Sequence, residues 1–194
     1  MTRLTLSLKN DAETLSGLSF QLGEKKKYKN DPLYGYHDVK CQGSHQMFNG
    51  LQLIVTEESE ELSIVYSGNN TILLRLRENS KLLELLRGIQ AKIEAAAPPG
   101  MSLAPLVKEA EQEGWAPSFK MKTDWTAVHT DSTGQLQQGH VLKRCLFTIS
   151  RINHYQGRYY HGIILKSALI SNIPCSHGNS NDTEEEDLAM LDEE

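Results

Sequence analysis

The feature that most limits the fold of this chain is a series of short segments rich in Ile, Leu and Val, separated by loop residues. LQLIVTE, LSIVYS and TILLRLR follow one another, and SGNN at residues 67–70 has the composition of a hairpin turn. SFKMKTDW, TAVHTD, VLKRCLFTISRI and YYHGIILKSALI repeat the pattern further along. In the last pair Cys145, Phe147 and Ile149 share one side of a strand, which predicts a long hairpin with a buried face.

A helical pattern interrupts these β segments. Apolar residues recur at helical spacing at Leu82, Leu85, Leu86, Ile89 and Ile93. Ser80 is a suitable N-cap, and PPG at 98–100 ends the element. A second helix is predicted in SLAPLVKEAEQEG, residues 102–114, with Pro105 in its first turn.

Five or more strands with one helical insertion fit a small OB-like barrel better than an α/β sheet. The residues that precede the C-terminal end are numerous enough to bury one sizeable core, which predicts a single mainly β domain. The domain is predicted to cover residues 25–174, with the helical insertion at about 80–114. It follows an N-terminal arm or first strand at 1–24 and precedes a disordered acidic tail at 175–194.

Charge is divided unevenly between the body and the C-terminal end. The chain has 20 basic and 25 acidic residues, for a formal net charge of −5. Eight of the last fourteen residues are acidic and none is basic, so residues 1–180 carry 17 acidic against 20 basic residues. Mutual repulsion and few apolar residues predict that this end does not fold by itself. A solubility tail is one interpretation, and an internal substitute for a polyanionic ligand is the other.

Basic residues stand beside aromatic residues in three places, and these supply the candidate nucleic-acid-binding residues. They are Lys25, Lys26, Lys27, Tyr28, Lys29, Tyr34 and Tyr36, then Trp115, Phe119, Lys120, Lys122 and Trp125, and finally Tyr155, Arg158, Tyr159 and Tyr160. Unpaired bases stack on flat rings, for about 1–3 kcal/mol each, while cations follow the phosphate backbone. Duplex DNA would instead favour a basic helix in a groove, and neither predicted helix is suitably basic. The pattern predicts a groove for a single strand.

Each of these residues also has a purely structural interpretation. Tyr and Trp fill cores, and alternation gives Trp125 and Tyr159 apolar neighbours. The run from Lys25 to Lys29 also fits a solvated loop. Three such clusters in one chain favour the binding interpretation over a coincidence of composition.

Metal binding and catalysis have weaker support. Cys41 with His45, and Cys175 with His177, could form a zinc site only if the fold brought the two pairs together. The chain has no nucleophile elbow, no phosphate-binding Gly-rich loop with Lys-Ser/Thr, and no H-E-x-x-H motif. We therefore expect a protein that is not an enzyme and has no metal or other cofactor.

Three widely spaced cysteines favour a reducing compartment over a disulfide framework. The sequence has no run of about eighteen apolar residues, which predicts no membrane span. A cytoplasmic protein is expected, in the host cytoplasm if the protein is viral.

The order of these features resembles bacteriophage single-stranded DNA-binding proteins with a short acidic tail. The resemblance lies in a β segment, a helical insertion, a charged FKMK strand, a TDSTGQ turn, and LFTISRINHYQGRYYHGIILKSALIS before the acidic end. It covers residues 115–194 best and 25–114 loosely. It implies a binder of single strands, with little sequence preference, that acts in replication, recombination or repair.

The same resemblance implies a function for the acidic tail. In the absence of DNA the tail would occupy the basic groove, and DNA would release it to recruit replication or recombination proteins. The tail residues concerned are Glu184, Glu185, Glu186, Asp187, Leu188, Met190, Leu191, Asp192, Glu193 and Glu194. A homodimer is left open.

Two rival functions remain at this point. An acidic-tailed chaperone or interaction module would bind basic proteins and not DNA. A metal-dependent nuclease would use Asp38, Asp124 and Asp131, with KTD at 122–124 as its only signature.

Overall fold

Most of the described residues lie in β-strands, and one long helix packs against them. The computed structural model describes residues 3–8, 15–28, 31–43, 46–56, 62–110, 116–123, 129–130 and 136–171. The strands are β1 Leu4–Ser7, β2 Ser19–Leu22, β3 Lys26–Tyr28, β4 Asp31–Gln42, β5 Met47–Phe48, β6 Leu51–Thr56, β7 Leu62–Gly68, β8 Thr71–Arg75, β9 Ser118–Thr123, β10 His129–Thr130, β11 Val141–Tyr155 and β12 Arg158–Ser171, and the helix α1 is Lys81–Ala95. The predicted mainly β fold is confirmed.

Five of the strands close into a hydrogen-bonded ring in the order β7, β8, β9, β12, β11 and back to β7. Only the β9–β12 pair is parallel; the other four pairs are antiparallel. β7, β8 and β9 pair with one another in chain order, and β11 pairs with the other edge of β7. This arrangement of four antiparallel strands is a Greek key. The insertion of β12 between β9 and β11 then closes the ring.

Both predicted hairpin turns are present. Asn69 and Asn70 join β7 to β8 with φ of 45° and 57°, and Gln156 and Gly157 join β11 to β12 with φ of 47° and 84°. Positive φ at both central residues is the conformation that two-residue hairpin turns favour, because its twist matches that of the strands. Asn and Gly tolerate it best.

The long strand β11 connects the ring to the rest of the sheet. One edge of β11 pairs with β12 along its whole length. The other edge pairs first with β7 at residues 141–142, then with β6 at 144–149 and finally with β4 at 151–155. The end of the β11–β12 hairpin therefore leaves the ring and enters a second group of strands, β3 and β4.

A bulge marks the point where β11 leaves the ring. The pairing of β11 with β12 shifts between Ile149 and Arg151, so that Ile149 and Ile152 are both buried. Gly50 packs against this bulge with a φ of 90°, and a Cβ at residue 50 would lie 2.8 Å from the backbone oxygen of Ile149. A larger residue at position 50 would displace β11 at the base of the projecting hairpin.

The first predicted helix is confirmed as α1. Ser80 accepts a hydrogen bond from the Leu83 amide at 3.1 Å and caps the N-terminus, as its sequence position indicated. The predicted apolar stripe is buried in the core, and Lys92 Nζ donates to the Leu18 carbonyl at 2.8 Å. The helix therefore also holds the N-terminal segment against the body.

The second predicted helix, at residues 102–114, is wrong over residues 102–110, the part of it that the structure describes. The amide of Ala104 donates to the Tyr159 carbonyl at 2.8 Å, and Lys108 exchanges two backbone hydrogen bonds with Ser118. This stretch therefore follows the edge of the sheet. Residues 111–114 lie outside the described residues.

Proline explains much of this difference. Pro105 lacks an amide hydrogen and disfavours a helical conformation at the residue before it. Leu106 and Val107 are buried, and the Leu106 amide donates to Gln90 Oε1 of α1 at 2.8 Å. Packing on α1 thus buries these two side chains and gives the Leu106 amide the hydrogen-bond acceptor that a second helix would have provided within itself.

Two further findings bear on the sequence predictions. Cys41 and Cys145 are buried free thiols, and burial raises the pKa of Cys41 to about 11 and that of Cys145 to about 12. Within the described part of the chain, no helix combines the length and the apolar character that a bilayer crossing requires.

Candidate nucleic-acid interface

Four strands, β3, β4, β11 and β12, lie side by side near the end of the β11–β12 hairpin. Tyr36 of β4 is opposite Lys26 on one side and Asn153 on the other, and Asn153 is opposite Tyr160 of β12. Because directly paired residues share a face of a sheet, these side chains lie on one surface. We call it the tyrosine face; it consists of Lys26, Tyr28, Tyr34, Tyr36, Asp38, Arg151, Asn153, Tyr155, Arg158 and Tyr160.

Two tyrosines stack at the outer end of this face. Tyr34 and Tyr155 are directly paired across β4 and β11, with ring centroids 4.2 Å apart and planes 14° from parallel. Tyr34 has an exposed fraction of 39%, although its ring is large and apolar. Solvent-exposed flat rings at the end of a hairpin are a suitable platform for a further stacked ring.

A second aromatic group lies one pair further in. The rings of Tyr28 and Tyr36 are 4.9 Å apart, and the guanidinium carbon of Arg151 lies 4.4 Å from the centroid of Tyr36. Lys26 Nζ is 5.9 Å from the same centroid. Tyr36 is thus covered in part by two cations, an arrangement that holds positive charge against an aromatic surface.

One carboxylate serves both cations. Asp38 forms a hydrogen-bonded ion pair with Lys26, and its Oδ1 lies 3.8 Å from Arg151 Nε. The hydrogen bond to Asp38, and then its charge, raise the pKa of Lys26 above the ordinary value. With Arg158, the face carries three cations and this single carboxylate, so its net charge is positive.

Asn153 occupies the centre of the tyrosine face. Its Oδ1 accepts a hydrogen bond from Tyr28 Oη at 3.3 Å. Its Nδ2 lies beside Gly162 of β12, where a Cβ would be only 3.1 Å from that nitrogen. The absence of a side chain at residue 162 therefore gives the Asn153 amide its position across β12.

The lysines of β9 lie on the same outward surface. Along β12, Tyr160, Gly162 and Ile164 point outward, and Ile164 is paired with Lys122. Lys120 and Lys122 are both exposed, whereas the residues between and beside them are buried. From Arg158 to Ile164 the path along β12 is about 20 Å at 3.3 Å per residue. The outward surface of β12 therefore connects the predicted cluster that contains Lys120 and Lys122 with the other two clusters at the hairpin end.

The opposite side of these strands carries a layer of histidines beneath the tyrosine face. The ring of Tyr159 lies 4.6 Å from that of His154 and 6.1 Å from that of His37. His161 is half-buried, and neither ring nitrogen has a partner among the described residues. Burial lowers the pKa of His161 to about 4, and burial together with the nearby Lys25 lowers the pKa of His154.

Two of the predicted aromatic residues lie on the inner side of the sheet. Phe119 is fully buried and packs on Phe147 at a centroid distance of 5.4 Å, so its ring is not available to a base. Tyr159 packs against the core, as its apolar neighbours in the sequence suggested. Side-chain alternation along a strand explains both positions. Phe119 faces the opposite way from its neighbour Lys120, and Tyr159 faces the opposite way from its neighbour Tyr160.

The remaining candidates are divided between the sheet and the rest of the chain. Lys25 and Lys27 are exposed on β3 and the residue before it, and strand alternation turns them away from the tyrosine face. Lys29, Trp115, Trp125 and the predicted tail at 175–194 lie outside the described residues, as do His45 and Cys175 of the weakly supported zinc site. Within the described residues no group of three or more His, Cys, Asp or Glu could hold a metal ion.

Sequence analysis missed two central members of the face, Arg151 and Asn153. The signal was present, because both alternate with the buried Ile152 in RINHY and share the parity of Tyr155. It was weak, since a bulge changes the alternation just before Arg151. The pairing of this stretch with β4 joins residues more than a hundred positions apart, and no local pattern shows it.

The chain was also compared with known proteins. No protein-family model and no curated protein matches it.

Proposed function

We propose that the tyrosine face binds single-stranded nucleic acid, with DNA as the expected form, without cleaving it. The observation that carries this proposal is the concentration of five tyrosines and three cations on one face of four adjacent strands. The five-stranded ring with Greek-key connectivity supports an OB-like barrel, a fold whose sheet surfaces and loops bind oligonucleotides.

The geometry suggests how a strand would lie on the face. A base stacks on the exposed side of the Tyr34–Tyr155 pair, and neighbouring bases meet Tyr36 and Tyr160. Phosphates follow Lys26, Arg151 and Arg158, then continue along β12 to the β9 lysines. Every base has a flat ring and every nucleotide has a phosphate, so this mode of binding tolerates most sequences.

The acidic tail has a function in the same proposal. Its eight carboxylates match the charge of a phosphate chain, and its attachment to the body gives it a high local concentration at the face. In the absence of nucleic acid the tail covers the cations. When a strand displaces it, the tail becomes available to replication or recombination proteins.

A labelled single strand, incubated with the protein in the presence of Mg²⁺, separates the candidate functions. Retention of intact strand at physiological salt supports the proposal. Cleavage would favour the nuclease with Asp38, Asp124 and Asp131, although Asp38 is engaged by two cations. Neither retention nor cleavage, together with capture of a basic protein, would favour the chaperone or interaction module.

A further inference from the structure

The centre of the tyrosine face is polar, which simple stacking does not require. Asn153 lies between Tyr36 and Tyr160, its direct neighbours on β4 and β12. A base stacked on Tyr160 would therefore place its edge next to the Asn153 amide. An amide in this place can form hydrogen bonds that differ from one base to another.

We propose that Asn153, positioned by Tyr28 and Gly162, reads one base of the bound strand and favours bases that present a carbonyl oxygen over adenine. The inference rests on the proposed function, because it assigns a chemical preference to the same site. Adenine is the one common base without a carbonyl oxygen, and thymine and cytosine are the carbonyl-bearing bases used in the test.

The orientation of the amide determines this preference. Tyr28 Oη donates to Asn153 Oδ1 at 3.3 Å, which occupies an acceptor position at the carbonyl end of the amide. An asparagine that reads adenine uses both ends at once, accepting from N6 and donating to N7. Here the amide is held with its donor end outward from Tyr28, so an acceptor on the base is the better partner.

Gly162 fixes where the donor lies. A Cβ at this residue would lie 3.1 Å from Asn153 Nδ2, 3.3 Å from Arg151 Cβ and 3.0 Å from the Arg151 backbone oxygen. A Cβ at this residue would therefore require the Asn153 amide to shift by a few tenths of an ångström. The open space over Gly162 thus holds Asn153 Nδ2 close to the backbone of β12, while the Arg151 guanidinium lies over Tyr36.

The test measures binding of fluorescein-labelled dT, dC and dA oligonucleotides of equal length to the full-length chain by fluorescence anisotropy. We expect dT and dC to bind about fivefold more tightly than dA, the effect of about one net hydrogen bond. Oligo-dA also stacks on itself, which affects its affinity whatever Asn153 does. The ratio of affinities for dT and dA in the unmodified chain is therefore compared with the same ratio in each variant.

Three variants show whether the preference comes from Asn153. Asn153→Ala removes the donor. The ratio of its affinities for dT and dA should then lie within about twofold of the ratio that stacking alone would set. Tyr28→Phe keeps the ring but releases the amide, so it should reduce the preference more than the affinity for dT. Gly162→Ala should shift the amide and reduce the preference, in the same direction as Asn153→Ala but by less.

Gly43→Ala is the matched control. A Cβ at Gly43 would have only ordinary contacts, the nearest at 3.5 Å, and this residue lies outside the tyrosine face. Its affinities and its ratio should equal those of the unmodified chain. Thermal unfolding of each variant checks that the sheet has formed.

The outcomes separate the inference from the function on which it rests. Loss of the preference in Asn153→Ala and a reduced preference in Gly162→Ala, with binding retained in both, support the inference. Equal binding of all three oligonucleotides, or a preference that Asn153→Ala leaves unchanged, would overturn it while the proposed function stands. Absence of binding to every oligonucleotide would overturn the proposed function itself.

Discussion

At the scale of single residues, the tyrosine face uses side chains that are costly to leave exposed. Tyr34 lies at the surface beside Tyr155, and a stacked pair of rings at a hairpin end is not needed to close the five-stranded ring. In the proposed function this pair is the platform on which a base of the strand stacks. The residue-scale predictions follow from this assignment and from the charges on both sides of the sheet.

The stacking prediction concerns Tyr34. Tyr34→Ala should weaken binding of oligo-dT by about 1–3 kcal/mol, the contribution of one stacked base. Tyr34→Phe keeps the ring and should bind within about twofold of the unmodified chain. Fluorescence anisotropy measures both affinities. Equal affinities for the Ala variant and the unmodified chain would show that this ring does not contact the strand.

The charge prediction concerns Asp38. Asp38→Asn removes the carboxylate that Lys26 and Arg151 share, so both cations become available to phosphate. Binding at low salt should tighten about fivefold, as expected for one charge interaction of about 1 kcal/mol near 4 Å in water. The gain should shrink as salt increases. A weaker complex would instead indicate that Asp38 mainly orders the two cations.

The pH prediction concerns His161 on the inner side of the sheet. Its pKa of about 4 in the folded chain lies below the ordinary 6.5, so the unfolded chain binds more protons between these values. The free energy of unfolding should therefore fall as the pH drops from 6.5 to 4, by up to about 3 kcal/mol from this group.

Denaturant unfolding at pH 7 and pH 4.5 measures the effect. The His161→Phe variant cannot titrate and should lose this part of the pH dependence, leaving the smaller contribution of His154, whose pKa shift has the same direction. If both proteins lost the same stability on acidification, His161 would not be the group responsible.

At the scale of elements, the local patterns of the sequence predicted much of the fold. Alternation predicted β7, β8, β11 and β12, and helical spacing with a Ser80 cap predicted α1. The second helix failed because Pro105 and packing on α1 outweighed the apparent helical pattern. The composition of a segment does not show which neighbouring element will provide hydrogen-bond partners for its backbone.

The site could be predicted in its residue types but not in its geometry. The clusters included Tyr34, Tyr36 and Tyr155, which the structure brings to one face, because aromatic and basic residues are close in the sequence there. Phe119 was misplaced because a cluster does not say which face of a strand each member occupies. The pairing of β4 with β11, which creates the face, is a long-range contact that only the folded chain reveals.

The element-scale prediction concerns β9. Lys120→Ala with Lys122→Ala should reduce the slope of log affinity against log salt concentration by up to about 1.4, because each phosphate contact to a single strand contributes about 0.7. Lys81→Ala, which removes an exposed lysine from α1, should leave the slope unchanged. A slope unaffected by the β9 pair would confine the strand to the hairpin end of the face.

At the scale of the whole molecule, the apolar core and the tyrosine face occupy different parts of the fold. The five-stranded ring and α1 bury the apolar residues, whereas the projecting part of the β11–β12 hairpin carries the tyrosine face with β3 and β4. In the proposed function the acidic tail is a competitor of opposite charge on the same chain. Affinity would then depend on the balance between tail and ligand.

Deleting residues 181–194 tests this balance. The truncated chain should bind oligo-dT severalfold more tightly at low salt, with a smaller gain at high salt, because screening weakens the tail's attraction to the face. The control keeps the tail length and replaces its eight carboxylates by their amides; it should behave like the deletion. If both variants bound as the unmodified chain does, the tail would not cover the face.

The most direct test of the central claim locates the bound strand on the protein. An oligonucleotide that contains 5-bromodeoxyuridine is bound to the full-length chain and cross-linked by ultraviolet light, and the modified peptides are identified by mass spectrometry. We predict adducts at Tyr34, Tyr36, Tyr155 or Tyr160. Efficient cross-linking confined to peptides outside β3, β4, β11 and β12 would contradict the assignment of the tyrosine face as the binding surface.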